Sequence, residues 1–188
     1  MKFGAIDQGT SSTRALMLSD GKAEVYATFT HKQIYPASGW VEHDPRELLN
    51  NVVACCDVLE SADVLGLANQ GESCLAWDKK TGEPISQVIV WQDNRTANVT
   101  NKLKMDGHEE RVKALSGLPL DPYFSATKLA WILANIGEAK NLLSEKRLAL
   151  GTTDAFFMQN LVGRFVTDVT TASRTSLMNL NTMEWDEE

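Results

Sequence analysis

Long basic runs, membrane-length apolar stretches and paired cysteines are all missing from this sequence. Lysine and arginine number 18 against 25 aspartates and glutamates, leaving a net charge of −7, and basic residues never run beyond two in succession. A surface for nucleic acid or for an anionic membrane is therefore not expected. No apolar run approaches the length of a bilayer span. The chain enters a strand pattern by residue 3 with no apolar h-region, so we expect no signal peptide and a cytoplasmic location. The three cysteines, Cys55, Cys56 and Cys74, are odd in number with two adjacent, which does not suit a disulfide framework, and no Cys/His spacing suits zinc. Buried free thiols in a reducing compartment account for them. His31, His43 and His108 are scattered, and each reads as a surface or structural residue. No internal repeat, low-complexity tract or domain linker is visible.

What is present is the composition of an ordinary globular domain, 43% hydrophobic and 23% charged over 188 residues, enough for one substantial core. Residues 2–6, 13–18 and 23–30 read as three consecutive strands. A helix is expected next, with Asp44 as N-cap, Pro45 at the first position and Glu47 at capping-box spacing. Leu49, Val52, Val53, Cys56 and Leu59 would form its apolar face. Residues 63–68 read as a strand covered on both faces, since they show little alternation. Strands are expected at 74–77 and 85–91, then helices near 94–105 and 108–116. A further helix follows with Ser125 as its cap, then one near 138–145, a strand near 147–150 and a helix near 153–162. The pattern is α/β, with a mixed sheet flanked by helices. Polar clusters fall after residues 6, 68 and 91, at strand ends where such sheets bind ligands, and a shared cleft is expected there.

The densest chemistry lies in Asp7-Gln8-Gly9-Thr10-Ser11-Ser12-Thr13-Arg14, between two short apolar runs. A hairpin tip needs only two or three turn residues; this one carries a carboxylate, a glycine, four hydroxyls and a guanidinium. Gly9 would let backbone N–H groups approach a ligand closely, and clustered donors would make an anion site. Asp7 can hold magnesium or its water shell, and Arg14 can neutralise phosphate with a fixed fork of donors. An Asp-x-Gly turn alone is better read as a hydrophilic hairpin; the flanking Thr-Ser-Ser-Thr-Arg favours phosphate.

Six segments together resemble the glycerol kinases of the FGGY carbohydrate kinase family: residues 7–14, Gly-Trp-Val-Glu-His-Asp-Pro at 39–45, Asn-Gln-Gly-Glu-Ser at 69–73, Val-Trp-Gln-Asp-Asn-Arg-Thr at 90–96, residues 120–129 and residues 167–177. The resemblance implies an actin-like (ribonuclease H-like) ATPase fold. It also implies ATP- and magnesium-dependent phosphorylation of a terminal polyol hydroxyl, in the first place glycerol to glycerol 3-phosphate. Thr10, Ser11, Ser12 and Arg14 then stand where the nucleotide phosphates and phosphorylated product are met, and Asp7 where the magnesium is. Glu72 and Tyr123 stand as groups for substrate hydroxyls, and Trp91 as an apolar wall. Those roles suit a polyol, whose hydroxyls each donate and accept and whose C–H face an aromatic ring can bury. Taken singly, Trp91 and Tyr123 also read as core aromatics and Glu72 as a solvated loop charge. Asp168 and Arg174 match a family segment, but the sequence assigns them no chemical role.

Two departures bear on that expectation. Gly71 stands where glycerol kinases usually place an arginine that donates to substrate hydroxyls. A charged donor is worth about 1.5–3 kcal/mol, so glycerol binding is weaker, another residue compensates, or the substrate is another polyol or sugar such as a pentulose or tetritol. The family's proton-accepting aspartate and its second, nucleotide-binding domain lie beyond the motifs seen here. Residues 1–188 are therefore expected to be an N-terminal, substrate-side part of a longer kinase, inactive alone, whose full-length form is a possible homo-oligomer. A non-catalytic binding module is the alternative of another class.

Overall fold

A computed structural model of the chain describes residues 1–187. In chain order the elements are β1 (Phe3–Gln8), β2 (Ser12–Ser19), β3 (Lys22–Thr30), β4 (Glu42–His43), α1 (Pro45–Val58), β5 (Val64–Ala68), β6 (Cys74–Asp78) and β7 (Val88–Ile89). They continue with α2 (Ala97–Met105), α3 (Glu109–Ser116), α4 (Ser125–Asn135), α5 (Gly137–Ser144), β8 (Leu148–Thr152), α6 (Thr153–Val162), α7 (Val169–Ala172), β9 (Met178–Asn179) and β10 (Glu184–Trp185). The chain divides into two compact units. One is built from Met1–Ile34 and His43–Gln70, the other from Tyr35–Glu42 and the chain from Gly71 onward.

In the first unit a sheet of order β3-β2-β1-β5 is antiparallel across β1, β2 and β3 and parallel between β1 and β5. It is the mixed sheet that three successive strands followed by a helix and a strand imply. The helix α1 packs on β1, β2 and β3. Asp44 caps it by accepting the Arg46 N–H at 2.8 Å. The expected capping box does not close, because the Glu47 carboxylate takes the Lys32 N–H instead. The buried face of α1 is Leu48, Val52, Cys55 and Leu59 rather than the set containing Leu49, Val53 and Cys56. The sequence offers apolar doublets at 48–49, 52–53 and 55–56, so either phase fits a helical period, and only the sheet decides between them. Leu59, just past the end of α1, comes so near β1 that a Cβ at Gly4 would lie 3.3 Å from its Cδ1 and collide with Leu65.

β5 is not covered on both faces, as its pattern suggests. It is an edge strand with Val64 53% and Leu65 45% exposed. A short apolar run cannot distinguish a central strand from an edge one. In the second unit β6 is buried throughout.

The second unit's main sheet has the order β4-β7-β6-β8, with β8 antiparallel to β6 in register from Cys74 opposite Thr152 to Asp78 opposite Leu148. Alternation on β6 sends Cys74 and Ala76 into a cluster with Ile89, Leu129 and Ile132. Trp77 meets Phe156 and Phe165 edge-on, with ring centroids 5.5 and 5.1 Å away. The α4 helix begins at Ser125, as the sequence suggests, but Ser125 does not cap it. Phe124 occupies the cap position, and the Ser125 hydroxyl donates to the Glu72 carbonyl at 3.0 Å. Among the described residues no helix is long and apolar enough to cross a membrane.

Candidate functional site

The two units carry separate parts of the predicted chemistry, and each is built by its own sheet. In the first unit the β1–β2 hairpin closes through the Gly9 N–H, which donates to the Ser12 carbonyl at 3.0 Å. That N–H is therefore committed to the turn rather than turned to a ligand. The loop's carbonyls are also engaged. Gly9 O accepts from Gln8 at 2.7 Å and Gln70 at 2.9 Å, Ser11 O from the His31 N–H at 3.3 Å, and Thr10 O from His31 Nε2 at 3.0 Å. With its acceptors held from behind, the loop exposes the Ser11 and Arg14 side chains, while Thr10 and Ser12 are half-buried.

Asp7 and Arg14 are direct cross-strand partners, exposed on the sheet face opposite α1, with Ala68 of β5 on Asp7's other side. A carboxylate beside a guanidinium, with hydroxyls at the turn, suits a metal–phosphate ion pair. No group of three His, Cys, Asp or Glu side chains able to hold a metal occurs among the described residues. Asp7 by itself offers one carboxylate, an oxygen donor of the class that magnesium takes.

His31 and His43 stand behind the loop, as structural residues. Their rings meet edge to face with centroids 4.8 Å apart, and His43 Nδ1 donates to the Lys32 carbonyl at 2.8 Å. Burial pushes both imidazoles below the usual 6.5. The unfolded chain then binds protons that the folded one refuses once pH falls below about 6.5, so stability declines as pH drops from there. We expect the urea midpoint to fall between pH 7 and 5.5, and His43→Gln to flatten that slope. An unchanged slope would mean that these rings titrate alike in both states.

In the second unit, Glu72, Trp91 and Tyr123 are brought together, and the framework that does so was not legible in the sequence. Tyr123 packs on Trp91 with ring centroids 5.4 Å apart and on Phe124 at 5.2 Å. The Trp91 N–H donates to Ser73 Oγ at 3.2 Å. The fully buried Lys128 ties the two aromatics by donating to the carbonyls of Trp91 (3.2 Å) and Tyr123 (2.9 Å). Burial lowers its ammonium to about 8, while burial and then the Glu72 charge raise the Tyr123 phenol. Burial likewise holds the Cys74 thiol protonated, up to about 12.

Glu72 is 8% exposed and its carboxylate is met by Arg174 Nε at 2.7 Å. Below Trp91, Asp93 accepts from the Val41 N–H at 2.6 Å and from the Arg95 N–H, Nε and Nη2 at 2.8–2.9 Å. Arg95 also reaches Glu42 at 2.7 Å, and its guanidinium lies 3.9 Å over Trp40 and 4.6 Å over Trp131. Lys128, Asp93, Arg95 and Arg174 all fall inside the six matched segments, but spacing alone says nothing of what a side chain touches.

The chain matches the family model described as the FGGY family of carbohydrate kinases, N-terminal domain, over residues 3–188. It is 46% identical over 196 residues to a glycerol kinase of Paraburkholderia phytofirmans, covering 98% of this chain and 39% of that protein. To a glycerol kinase of Haloferax volcanii it is 42% identical over 204 residues, covering 98% and 40%. The crystal structure of Plasmodium falciparum glycerol kinase with ADP superposes with a TM-score of 0.88 at 31% identity, covering 99% of this chain and 39% of that one. A ligand-bound xylulose kinase of Lactobacillus acidophilus superposes at 0.86 with 24% identity and the same 99% of this chain, against 38% of its own, a likeness of fold. This chain belongs to the FGGY family of carbohydrate kinases, and its fold is the actin-like one the motifs implied. It spans about two fifths of the length of these relatives.

Proposed function

We propose, starting from that family membership, that these residues form the substrate-binding side of an enzyme that phosphorylates a terminal polyol hydroxyl with ATP, glycerol first among candidates. The observation that carries the reading is the largely buried Glu72 carboxylate set among Tyr123, Trp91 and Arg174 in one unit. Glu72 accepts from substrate hydroxyls, the Tyr123 phenol donates or accepts, and Trp91 covers the C–H face. Such a site rejects analogues lacking the hydroxyls, because its polar groups would be left unpaired. Magnesium–ATP, when bound, supplies the γ-phosphoryl group and neutralises charge on its oxygens. Asp7 would hold the metal through its water shell, and Thr10, Ser11, Ser12 and Arg14 would meet phosphate oxygens. The transfer also needs a base within reach of the attacking hydroxyl. Asp7, engaged with metal and phosphate, is poorly placed for that role. We assign the base and most nucleotide contacts to the remaining part of such a kinase, and expect residues 1–188 alone to be inactive.

The test is phosphoryl transfer from γ-labelled ATP by the complete gene product across glycerol, tetritols, pentuloses and hexoses. Glycerol turnover in the presence of magnesium is expected. Absence of turnover with every acceptor would leave a binding module instead. A tetritol or pentulose preferred over glycerol would favour a second reading, for which the side-chain-free Gly71 is the specific ground.

A further inference from the structure

We infer that Arg174 is a specificity-determining substrate residue, presenting its guanidinium to polyol hydroxyls over the flank that Gly71 leaves open; this rests on the polyol-kinase reading. Arg174 sits on a single 3-10 turn, Ser173–Thr175, that follows α7 directly. The turn is fastened at both ends. Asp168 caps α7 by accepting the Thr170 and Thr171 N–H groups at 2.6 and 3.0 Å. Thr175 Oγ1 donates to the Ala172 carbonyl at 2.6 Å and accepts the Leu177 N–H at 3.1 Å. The backbone that carries the side chain is thereby fixed.

The guanidinium is only partly engaged. Its Nε meets Glu72 at 2.7 Å, and its carbon lies 5.1 Å over the Phe124 ring. The Arg174 charge also acts on the Tyr123 phenol, opposing the rise that burial and Glu72 impose on it. Yet the Arg174 side chain is 41% exposed where Glu72's is 11%. An ion pair formed only for stability gains little at that exposure. What exposure does provide is a fork with further N–H donors beside a carboxylate acceptor. A vicinal diol carries the complementary set.

Gly71 explains why the fork stays open. A Cβ built at residue 71 would touch Arg174 Cγ at 3.8 Å, and no other atom comes closer. A longer side chain there would start in contact with the Arg174 stem. Glycine leaves room for a further carbon, so the open flank admits, beside glycerol, polyols with vicinal hydroxyls that extend past three carbons.

The experiment compares glycerol and erythritol kinetics of the complete gene product as wild type, Arg174→Lys and Gly71→Arg. Lysine keeps the charge opposite Glu72 but not the fork. We expect KM for both polyols to rise about 10-fold or more, the worth of a charged hydrogen bond, with kcat changed less than threefold and an unaltered melting temperature. Gly71→Arg is expected to lower the erythritol-to-glycerol ratio of kcat/KM at least 10-fold. Wild-type turnover with both variants kinetically unchanged would overturn this inference alone. No wild-type turnover would overturn the kinase reading with it.

Discussion

Replacing Asp93 by alanine is expected to cost about 3–5 kcal/mol of folding stability. Asp93 is fully buried and its partner Arg95 has a side chain 1% exposed. Removing one member of such a pair strands the other charge in a low-dielectric interior, which is far costlier than the pair is worth. Here the stranded group is a guanidinium fixed between Trp40 and Trp131, with Glu42 as its remaining anion. The Val41 N–H loses its acceptor as well, a further penalty for a buried donor. Urea unfolding should show a midpoint shift without a change of slope, and the melting temperature should fall by roughly 10 °C. Asp93→Asn, which retains one acceptor oxygen, should lose distinctly less. A loss below about 1 kcal/mol for alanine would mean that solvent reaches Arg95.

The second large effect falls on activity. In the complete gene product, Glu72→Ala should lower polyol kcat/KM by about 1,000-fold, since a diol loses two hydrogen bonds to a charged acceptor at roughly 1.5–3 kcal/mol each. Glu72→Gln keeps an acceptor of the same shape and should lose about 10- to 100-fold. Neither should unfold the protein, because the half-exposed Arg174 can turn to water when its anion goes. Steady-state kinetics alongside a thermal melt would check this. A change within fivefold for alanine would remove Glu72 from the substrate site.

What could be read from the amino acids alone follows from how local each signal is. The α1 start was legible because Asp44 and Pro45 act on their own neighbours. The buried phase of α1 was not, because three apolar doublets make both faces eligible until a sheet chooses one. β5 and β6 are both short apolar runs; only their places at an edge and in the middle separate them. Glu72, Trp91 and Tyr123 were found by resemblance, and the structure places them near one another within one unit. Lys128, which ties two of them, lies on the buried side of α4 and looks in sequence like a solvated helix charge. Arg174 touches Glu72 across 102 positions, and no spacing rule reaches that far. The pairing of Gly71 with Arg174 needed coordinates.

The route of the backbone between the two units has a consequence for synthesis. Residues 35–42 belong with the chain from Gly71 onward, while both flanking stretches belong to the other unit. The first unit is complete once Gln70 has left the ribosome, but Trp40 then has nothing to stack on. Arg95 and Trp131, its partners, emerge 25 and 61 residues after Gln70, a wait of up to roughly 3–12 s at typical elongation rates. For that interval the growing protein carries an unsheltered indole on a strap pinned at both ends to an already folded body. The strap's composition, Tyr35-Pro36-Ala37-Ser38-Gly39-Trp40-Val41-Glu42, keeps the wait short of β-aggregation, since proline and glycine resist strand pairing.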